Sequence, residues 1–386
     1  MGSSQVFPLD IDTLPKNLGE GSNLAFQSQP IRYQAAPGRV YPRKQPLGIC
    51  GPGAKQAGSV IDKLSAPPPA TPWSGFVGLC DATIIAKGLT LTGDNRILLG
   101  RGLMLNPKSF PQAPLASLAA KDPAMPGTYR VDKPEEAIYL AGTVCNLGLP
   151  GARIYGHWIV DVLPRLYKTL GHGLVIDHYV MGETRKPWQN DILKAVGVAE
   201  DKFLFWDARQ YRLEAERLVV PTFARISSEL HEEFMDVHIF LREKHAASEL
   251  GSPATDKLFI ARAEGGNRQL ANRDAVEAVF ADHGFEIFRP ELWPFVEQIK
   301  KLARAAVVAG ECGSGMHNTV FCRPGTRVGV LQSSANLSFL QGQIALHAQH
   351  DLYYLIGMPI DPKEAYLKSS WRVDIADAHR FIAMLS

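Results

Sequence analysis

Short apolar runs alternate with amphipathic stretches through the last third of the chain. Strands are predicted over residues 258–261, 285–288, 306–309, 328–331 and 352–356, where apolar residues form short continuous runs. Helical spacing follows Asn272 and Pro294 and recurs around residues 341–348. An order of strand, helix, strand requires parallel strands joined by helical crossovers, so this region predicts a doubly wound α/β sheet.

In the part of the chain before this region, predicted strands and helices alternate less regularly. Apolar runs at 89–92 and 97–99 flank a turn sequence, which predicts a β-hairpin or meander. Apolar residues from 159 to 170 recur at helical spacing, with Pro164 expected to bend the helix because it lacks a backbone donor. Residues 174–220 then alternate strands and one helix, and 227–245 predict a charged helix.

These patterns suggest four segments. Residues 1–70, rich in Pro, Gly, Ser and Gln, predict an irregular N-terminal extension. A first, acceptor-side α/β domain is expected over 71–245 and a second, nucleotide-sugar-binding domain over 256–370, with 246–255 as linker. The stretch 371–386 predicts a helix that packs back on the first domain.

The composition of the chain limits the classes of protein to which it can belong. A chain of 386 residues is longer than a single hydrophobic core usually accommodates, which favours two domains. Its net charge of +2 gives no reason to expect nucleic acid as a partner. Five widely spaced cysteines without a CxxC pair indicate neither a zinc site nor a disulfide framework. With no apolar run of about 18 residues and no signal peptide, we expect a cytoplasmic protein. Peripheral attachment to the inner membrane stays open.

A glycine-rich loop follows the apolar run at 306–309. Gly310, Gly313 and Gly315 interrupt the chain there, and a helix is predicted to begin near Ser314. Glycine permits close approach of the backbone, and a helix N-terminus presents unpaired N–H groups, so the loop is suited to phosphate oxygens. The alternative is a turn that only tightens a strand-to-helix connection. The dinucleotide fingerprint and the P-loop are both absent.

Basic residues follow the strand predicted at 258–261. Arg262, Arg268 and Arg273 lie in a loop with a single acid, at the sheet edge where the glycine loop also falls. Guanidinium groups match phosphate geometry, so the two loops together predict an anion site. A solvated loop with incidental arginines is the alternative.

One histidine–carboxylate pair stands out in the first domain. His157 and Asp161 are four residues apart and therefore neighbours on one helix face. A carboxylate beside an imidazole can fix its tautomer and raise its basicity. The alternative is an ordinary ion pair at the surface.

Several ordered motifs resemble glycosyltransferase family 61, whose bacterial members include capsular polysaccharide biosynthesis proteins. The likeness covers roughly residues 75–360. The family often has a histidine where this chain has Cys312, and His317 is the candidate to replace it. The motifs are Tyr155-Gly156-His157-Trp158-x-x-Asp161-x-Leu163-Pro164-Arg165-Leu166, Arg262…Asn267-Arg268…Asn272, Gly284-Phe285-Glu286, Glu297-Gln298 and Gly310-x-x-Gly313-Ser314-Gly315-Met316-x-Asn318…Phe321-x-x-Pro324-Gly325.

The resemblance implies a GT-B architecture, with two Rossmann-like domains facing a cleft. It also implies inverting transfer from a nucleotide-diphosphate sugar, a UDP-sugar foremost, without metal or other cofactor. The acceptor would be a glycan or lipid-linked molecule in surface polysaccharide synthesis. Two alternatives are a GT-B-like transferase of another group, such as pyruvyl, and a nucleotide-sugar-binding module without activity.

The expected site residues follow from this resemblance together with the patterns above. The base is Asp161, or His157 oriented by Asp161, because an inverting transfer must deprotonate the acceptor hydroxyl. Trp158 is expected to pack in the core rather than on a sugar. The donor-binding residues are expected to be Arg262, Asn267, Arg268, Glu291, Leu292, Glu297, Gln298, Gly313, Ser314, Gly315, His317 and Asn318.

Overall fold

The computed structural model divides into two compact units. Unit 1 comprises Met1–Val40 and Pro69–Phe234, and unit 2 comprises Tyr41–Pro68 and Met235–Ser386. The structure describes residues 2–14, 16–17, 26–56, 58, 60–103, 119–121, 125, 127–182, 185–262, 268–363 and 369–386.

The strands of the described residues are numbered in chain order. They are β1 (Gly2–Asp10), β2 (Lys16–Asn17), β3 (Ile31–Ala36), β4 (Gly48–Cys50), β5 (Ser74–Ile85), β6 (Leu89–Leu91), β7 (Arg96–Leu99), β8 (Ala119–Lys121), β9 (Tyr129–Lys133), β10 (Glu136–Asn146), β11 (His178–Met181), β12 (Phe203–Phe205), β13 (Tyr211–Pro221), β14 (Arg225–Ile226), β15 (Glu229–Leu230), β16 (Asp256–Ile260), β17 (Glu286–Phe288), β18 (Ala305–Glu311), β19 (Arg327–Ser333), β20 (Asp351–Pro359) and β21 (Trp371–Arg372).

The helices are numbered in the same way. The α-helices are α1 (Gly53–Gln56), α2 (Val60–Ser65), α3 (Tyr155–His157), α4 (Leu163–Gly171), α5 (Pro187–Val196), α6 (Asp236–His245), α7 (Ala247–Leu250), α8 (Arg273–Asp282), α9 (Phe295–Ala303), α10 (Leu340–His347) and α11 (Ile375–Leu385). A π-helical turn, Trp158–Val162, joins α3 to α4, and 3₁₀ turns occur at Ile11–Thr13, Arg101–Leu103, Glu200–Lys202, Glu232–Met235, Pro290–Leu292 and Ser314–Phe321.

Unit 1 is built on one mixed sheet. Among the described residues it has twelve strands, whose main path runs β12-β11-β10-β13-β5-β6-β7-β1-β9-β8. Only the end from β12 to β13 is consistently parallel, and β5, β6 and β7 continue it in antiparallel pairs. The α/β class and the predicted hairpin are therefore confirmed. The regular doubly wound sheet expected for this domain is limited to four strands, because β5 to β7 reverse direction through short turns.

Unit 2 contains the parallel sheet that the sequence predicts. Its order is β17-β16-β18-β19-β20-β21, with β4 paired to β20. Pairing from β17 to β20 is parallel throughout, and helices α8, α9 and α10 separate the strands along the chain. The carboxyl ends of β16 and β18 thus meet at one edge, which brings Arg262 and the glycine loop together.

The unit boundaries differ from the predicted segments. β1 and β3 of the N-terminal extension join the sheet of unit 1, and 41–68 falls in unit 2. The charged helix α6 also belongs to unit 2, where the His238 ring packs 5.6 Å from that of Phe321, so the change of unit precedes α6 instead of falling at 246–255.

The C-terminal helix α11 packs within unit 2 and not, as expected, on the first domain. Its buried residues join the core formed by Phe259 and Val276. A Cβ at Gly329 on β19 would lie 2.9 Å from the Phe381 ring, so the helix rests directly on the sheet. The amphipathic pattern predicted the helix itself. It did not predict what the helix packs against, because those side chains lie far away in sequence.

None of the helices in the described part of the chain has the length and apolar character needed to cross a bilayer. All five cysteines are free.

Candidate functional site

The histidine and carboxylate of unit 1 meet at the π-helical turn. His157 ends α3, and its Nδ1 lies 2.6 Å from Oδ2 of Asp161. The turn precedes Pro164, which lacks the N–H that a regular helix would use there. Wider π-turns of this kind often occur at functional sites. The pairing predicted from spacing is present.

Asp161 is held by a second partner that sequence spacing did not predict. Arg225 donates from Nε to Oδ1 at 2.6 Å and from a terminal nitrogen to Oδ2 at 2.9 Å. Asp161 is fully buried, and burial by itself raises the pKa of a carboxyl. Arg225 and His157 outweigh that effect and hold the pKa of Asp161 well below its usual range. The carboxylate therefore stays ionised.

This environment decides between the two base candidates. Asp161 has no exposed surface, and both of its oxygens accept hydrogen bonds from protein groups, so it is unsuited to take a proton from a substrate. The His157 side chain, by contrast, is 30% exposed. With Nδ1 turned to Asp161, the ring presents Nε2 on its other edge. Of the two expectations, the structure favours His157 oriented by Asp161 over Asp161 itself.

A tight loop lies against that outer edge of His157. A Cβ at Gly151 would be 3.0 Å from Nε2 of His157 and 2.8 Å from Cδ2. Gly151 also has a φ of +84°, in the region that favours glycine. The loop is anchored by the buried Trp158, which donates from its indole nitrogen to the Ala152 carbonyl at 2.7 Å. Trp158 therefore has the core role expected of it.

Arg165 fixes the strand ends around this pair. Its guanidinium is buried, donates to the carbonyls of Asn146 at 2.7 Å, Leu147 at 3.0 Å and Pro221 at 3.0 Å, and lies 4.2 Å from the ring centroid of Phe223. Burial lowers its pKa to about 10, which still leaves it charged at neutral pH. One side chain thus ties the carboxyl ends of β10 and β13 together, and the chain leads from them to His157 and Arg225.

In unit 2 the glycine loop begins at the carboxyl end of β18. Cys312 donates its N–H to the Leu331 carbonyl at 2.8 Å, and Gly313 precedes the 3₁₀ helix Ser314–Phe321. A Cβ at Gly310 would lie 2.5 Å from the Ile260 carbonyl oxygen. Gly310 is thus explained by strand packing alone. Gly313 and Ser314 form the helix start, whose first N–H groups have no acceptor within the helix.

Two arginines lie against this loop. A Cβ at Gly313 would be 3.4 Å from Nε of Arg262, so the guanidinium covers the glycine. Burial lowers the pKa of Arg262, and the charges of Arg268 and Arg273 lower it further against the opposing effect of Glu311. Nε of Arg268 is buried without a hydrogen-bond partner among the described residues. An anion here would stabilise guanidinium groups that the protein only partly compensates.

The third arginine has a different role. Arg273 donates from Nε to Oε1 of the buried Glu311 at 2.8 Å and from a terminal nitrogen to Gln269 at 3.1 Å. This pair anchors the start of α8 to the end of β18. The backbone of Arg268, with a φ of +59°, is held by the indole nitrogen of Trp371, which donates to its carbonyl at 3.0 Å. Of the three arginines, Arg262 and Arg268 thus agree best with the predicted anion site.

Other predicted donor residues have local partners. Asn318 is buried and donates to Gln298 Oε1 at 3.0 Å, and Gln298 donates to the Trp293 carbonyl at 2.9 Å. Both amides therefore brace the glycine loop against α9, and the expectation that Asn318 contacts a ligand stays a prediction. Likewise, Asn272 at the start of α8 makes no side-chain cap and bonds instead to the Val373 backbone.

The remaining predicted residues lie around the same edge or outside it. Glu297 pairs with Lys300 at 2.8 Å on the surface of α9. Glu291 and Leu292 lie in the exposed 3₁₀ turn after β17, and the half-buried His317 lies on the helix after the loop. Asn267 lies outside the described residues. The described residues contain no group of three or more His, Cys, Asp or Glu that could hold a metal.

The comparison with known families agrees with these motifs. Residues 155–329 match the family model described as Glycosyltransferase 61. The matched stretch begins two residues before His157 and includes Arg225, Arg262, Arg268 and the whole glycine loop. No curated protein matches the chain.

Proposed function

We propose that this chain, which belongs to glycosyltransferase family 61, transfers a sugar with inversion from a nucleotide-diphosphate donor to a glycan or lipid-linked acceptor, as in surface polysaccharide synthesis. The family supports glycosyltransferase activity, which requires a sugar donor and an acceptor. The observation that carries the mechanism is the buried Asp161 carboxylate, clamped by Arg225 and bonded to Nδ1 of a partly exposed His157.

In this mechanism His157 is the general base. Its Nε2 takes the proton of the acceptor hydroxyl while that oxygen forms a bond to the anomeric carbon of the sugar. The bond between the anomeric carbon and the donor phosphate oxygen breaks on the opposite face, and its electron pair leaves with the nucleoside diphosphate. The configuration is therefore inverted. Asp161 is a positioning residue that stabilises the imidazolium formed on His157.

The leaving diphosphate is proposed to bind in unit 2. Arg262, Arg268 and the N–H groups of Gly313, Ser314 and Gly315 would offset its charge. Preorganised donors stabilise charge best where water is excluded and the donors need not reorganise. The burial that lowers the pKa of Arg262, and the Nε of Arg268 that has no partner among the described residues, support this assignment. Four further points stay predictions: a UDP-sugar donor, independence from metal, the GT-B arrangement and a cytoplasmic location.

A nucleotide screen tests this proposal. Calorimetry with UDP, GDP, CDP, CMP and their sugars should give saturable binding of one nucleoside diphosphate, and the matching nucleotide sugar should be hydrolysed slowly without acceptor. Binding without any turnover would instead favour the inactive module. Failure of the folded protein to bind any nucleotide would overturn the proposal and leave the glycine loop as a structural turn.

A further inference from the structure

A groove of about 790 Å³ lies in unit 1, beside the ends of β11 and β12. Gly182 follows β11 and Trp206 follows β12, and a Cβ at Gly182 would lie 3.0 Å from the Trp206 ring. Phe203 and Phe205 also line the groove. A side chain at Gly182 would also meet the Ala86 carbonyl oxygen at 2.5 Å. Phe203 and Trp206 are buried, so Phe205 is the ring whose surface is partly open to the groove, as in pockets that take the apolar face of a ligand.

Basic side chains surround this aromatic floor. Among the described residues that line the groove, Lys87, Arg153, Arg185 and Arg209 are basic and only Asp207 is acidic. Arg209 pairs with Asp207 at 3.0 Å, so these two charges offset each other. Among the described residues the lining thus has more basic than acidic side chains, and Glu200 offsets the charge of Arg185 as Asp207 offsets that of Arg209.

Arg185 is held in place over the floor. It bonds to Glu200 at 2.9 Å, and its guanidinium carbon lies 5.7 Å from the ring centroid of Phe205. A guanidinium has five donors, so the contact with Glu200 leaves others for a ligand. A fixed guanidinium binds an anion at a lower entropic cost than a mobile ammonium does.

The groove adjoins the surroundings of His157. Phe203 packs against Trp158, the residue after His157, with ring centroids 6.0 Å apart. Arg153 lies on the same loop as Gly151, whose backbone lies close to Cδ2 and Nε2 of His157. The groove lining is thus connected to the His157 region through Phe203 and through Arg153.

We propose that this groove binds the acceptor and selects a glycan that carries negative charge, as a carboxylate or a phosphate. The partly exposed Phe205 ring would cover the apolar face of a sugar ring, and Arg153 and Arg185 would bind the acidic groups. The inference rests on the proposed glycosyltransferase function and adds the chemical class of the acceptor. Guanidinium forks match both anions, so the geometry selects charge rather than one anion.

The test compares matched acidic and neutral glycans on the full chain. Calorimetry at 50 and 300 mM NaCl would use trigalacturonate, its neutral counterpart galactotriose, and a galactose oligomer carrying one phosphodiester. We expect trigalacturonate or the phosphodiester to bind at least tenfold more tightly than galactotriose at low salt, with most of that preference lost at high salt. The tighter of the two acidic probes identifies the anion.

Two variants assign the preference to the groove. Arg153→Gln with Arg185→Gln should remove the preference, whereas Arg130→Gln, on β9 and outside the groove lining, should leave it within twofold. Both altered groove arginines are exposed, so the fold should persist.

Equal binding of acidic and neutral glycans, or a preference that survives the double variant, would overturn the inference. Nucleotide binding and donor hydrolysis, measured on the same samples, separate this outcome from a failure of the proposed function. If both persist, only the acceptor class is wrong. If neither occurs, the glycosyltransferase proposal fails as well, and glycan binding alone then decides whether the groove selects charge.

Discussion

The candidate sites of the two units differ in how far their polar groups are satisfied. In unit 1 both oxygens of the buried Asp161 accept hydrogen bonds, and only the outer edge of His157 remains for a substrate. In unit 2 the Nε of Arg268 has no partner within the described residues, and Arg262 is held beside other arginines. The polar groups of one site are satisfied within the protein, and the other site has a buried Arg268 donor without a partner among the described residues.

The difference matches the two chemical tasks that we propose. A general base must hold its lone pair in a fixed direction before substrate arrives, so its supporting groups are satisfied within the protein. A site for a diphosphate gains its missing hydrogen bonds from the ligand, so donors that remain unpaired in the ligand-free chain are expected there. Each of the following experiments alters one of the two units.

The largest effect is expected for His157→Gln. Loss of a general base typically lowers turnover by about 10²–10⁴-fold, because the proton then has no positioned acceptor. Hydrolysis and transfer by the variant should fall by that amount, while its affinity for the nucleoside diphosphate stays within twofold of wild type. Retained turnover would place the base elsewhere in the chain.

The next effect concerns the stability of unit 1. Arg225→Met leaves the Asp161 carboxylate buried without its main partner, which should lower the free energy of unfolding by about 3–5 kcal/mol. The double variant Arg225→Met/Asp161→Leu should recover most of that loss. Chemical denaturation measures both changes.

An exposed pair gives the control for that cycle. Arg209→Met breaks the ion pair with Asp207, and it should leave stability unchanged within the error of the measurement because water solvates both groups. A loss below 1 kcal/mol in Arg225→Met itself would show that Asp161 is not clamped in this way.

In unit 2, Arg262→Ala should weaken binding of the nucleoside diphosphate by about 1.5–3 kcal/mol, the range for a hydrogen bond to a charged group. Titration calorimetry measures the change. Arg304→Ala is the matched control, since Arg304 bonds to Asp256 at the opposite, amino end of β16 and should have no effect. Equal losses in the two variants would indicate a general effect of charge and not a site.

The most gradual effect is a pH dependence of unit 2. Burial, together with the charge of Arg242, lowers the pKa of His350 to about 3, against about 6.5 in the unfolded chain. Between these values the unfolded state takes up the proton and the folded state does not. Stability is therefore full above pH 6.5 and falls with acidification, by at most about 1.4 kcal/mol per pH unit from this group.

Hydrogen exchange read by mass spectrometry would follow unit 2 across this window. His350→Gln, which cannot titrate, should show a shallower loss of protection between pH 6.5 and pH 4 than wild type. Identical slopes in the two proteins would exclude His350 as the source.

Local pattern predicted much of unit 2. The strands and helices there follow apolar runs and helical spacing, and the loop with Arg262 falls at the expected edge because the sheet is parallel. Unit 1 was harder to predict. Strand β10, with exposed and buried residues mixed along its first half, lacks a clear period, and β1 and β3 gain their place only by pairing with distant strands.

The candidate site was predictable to a similar extent. The spacing of His157 and Asp161 predicted their contact, but not the π-helical turn or the burial of Asp161. Arg225 gave one usable signal, since it follows the alternating strands predicted up to residue 220 and therefore lies near the carboxyl end of a strand. That Asn318 binds Gln298 depends on how α9 packs, which spacing does not reveal.

The most direct test of the central claim is the protonation pattern of the His157 ring. Nitrogen NMR of the histidine-labelled protein, with His157→Gln to assign the signal, shows which ring nitrogen carries the proton in the neutral form. Since Asp161 accepts from Nδ1, the account predicts the Nδ1–H tautomer, with the lone pair on Nε2. A ring protonated at Nε2 instead would have no lone pair for the acceptor proton at its exposed edge, and this would contradict the proposed base.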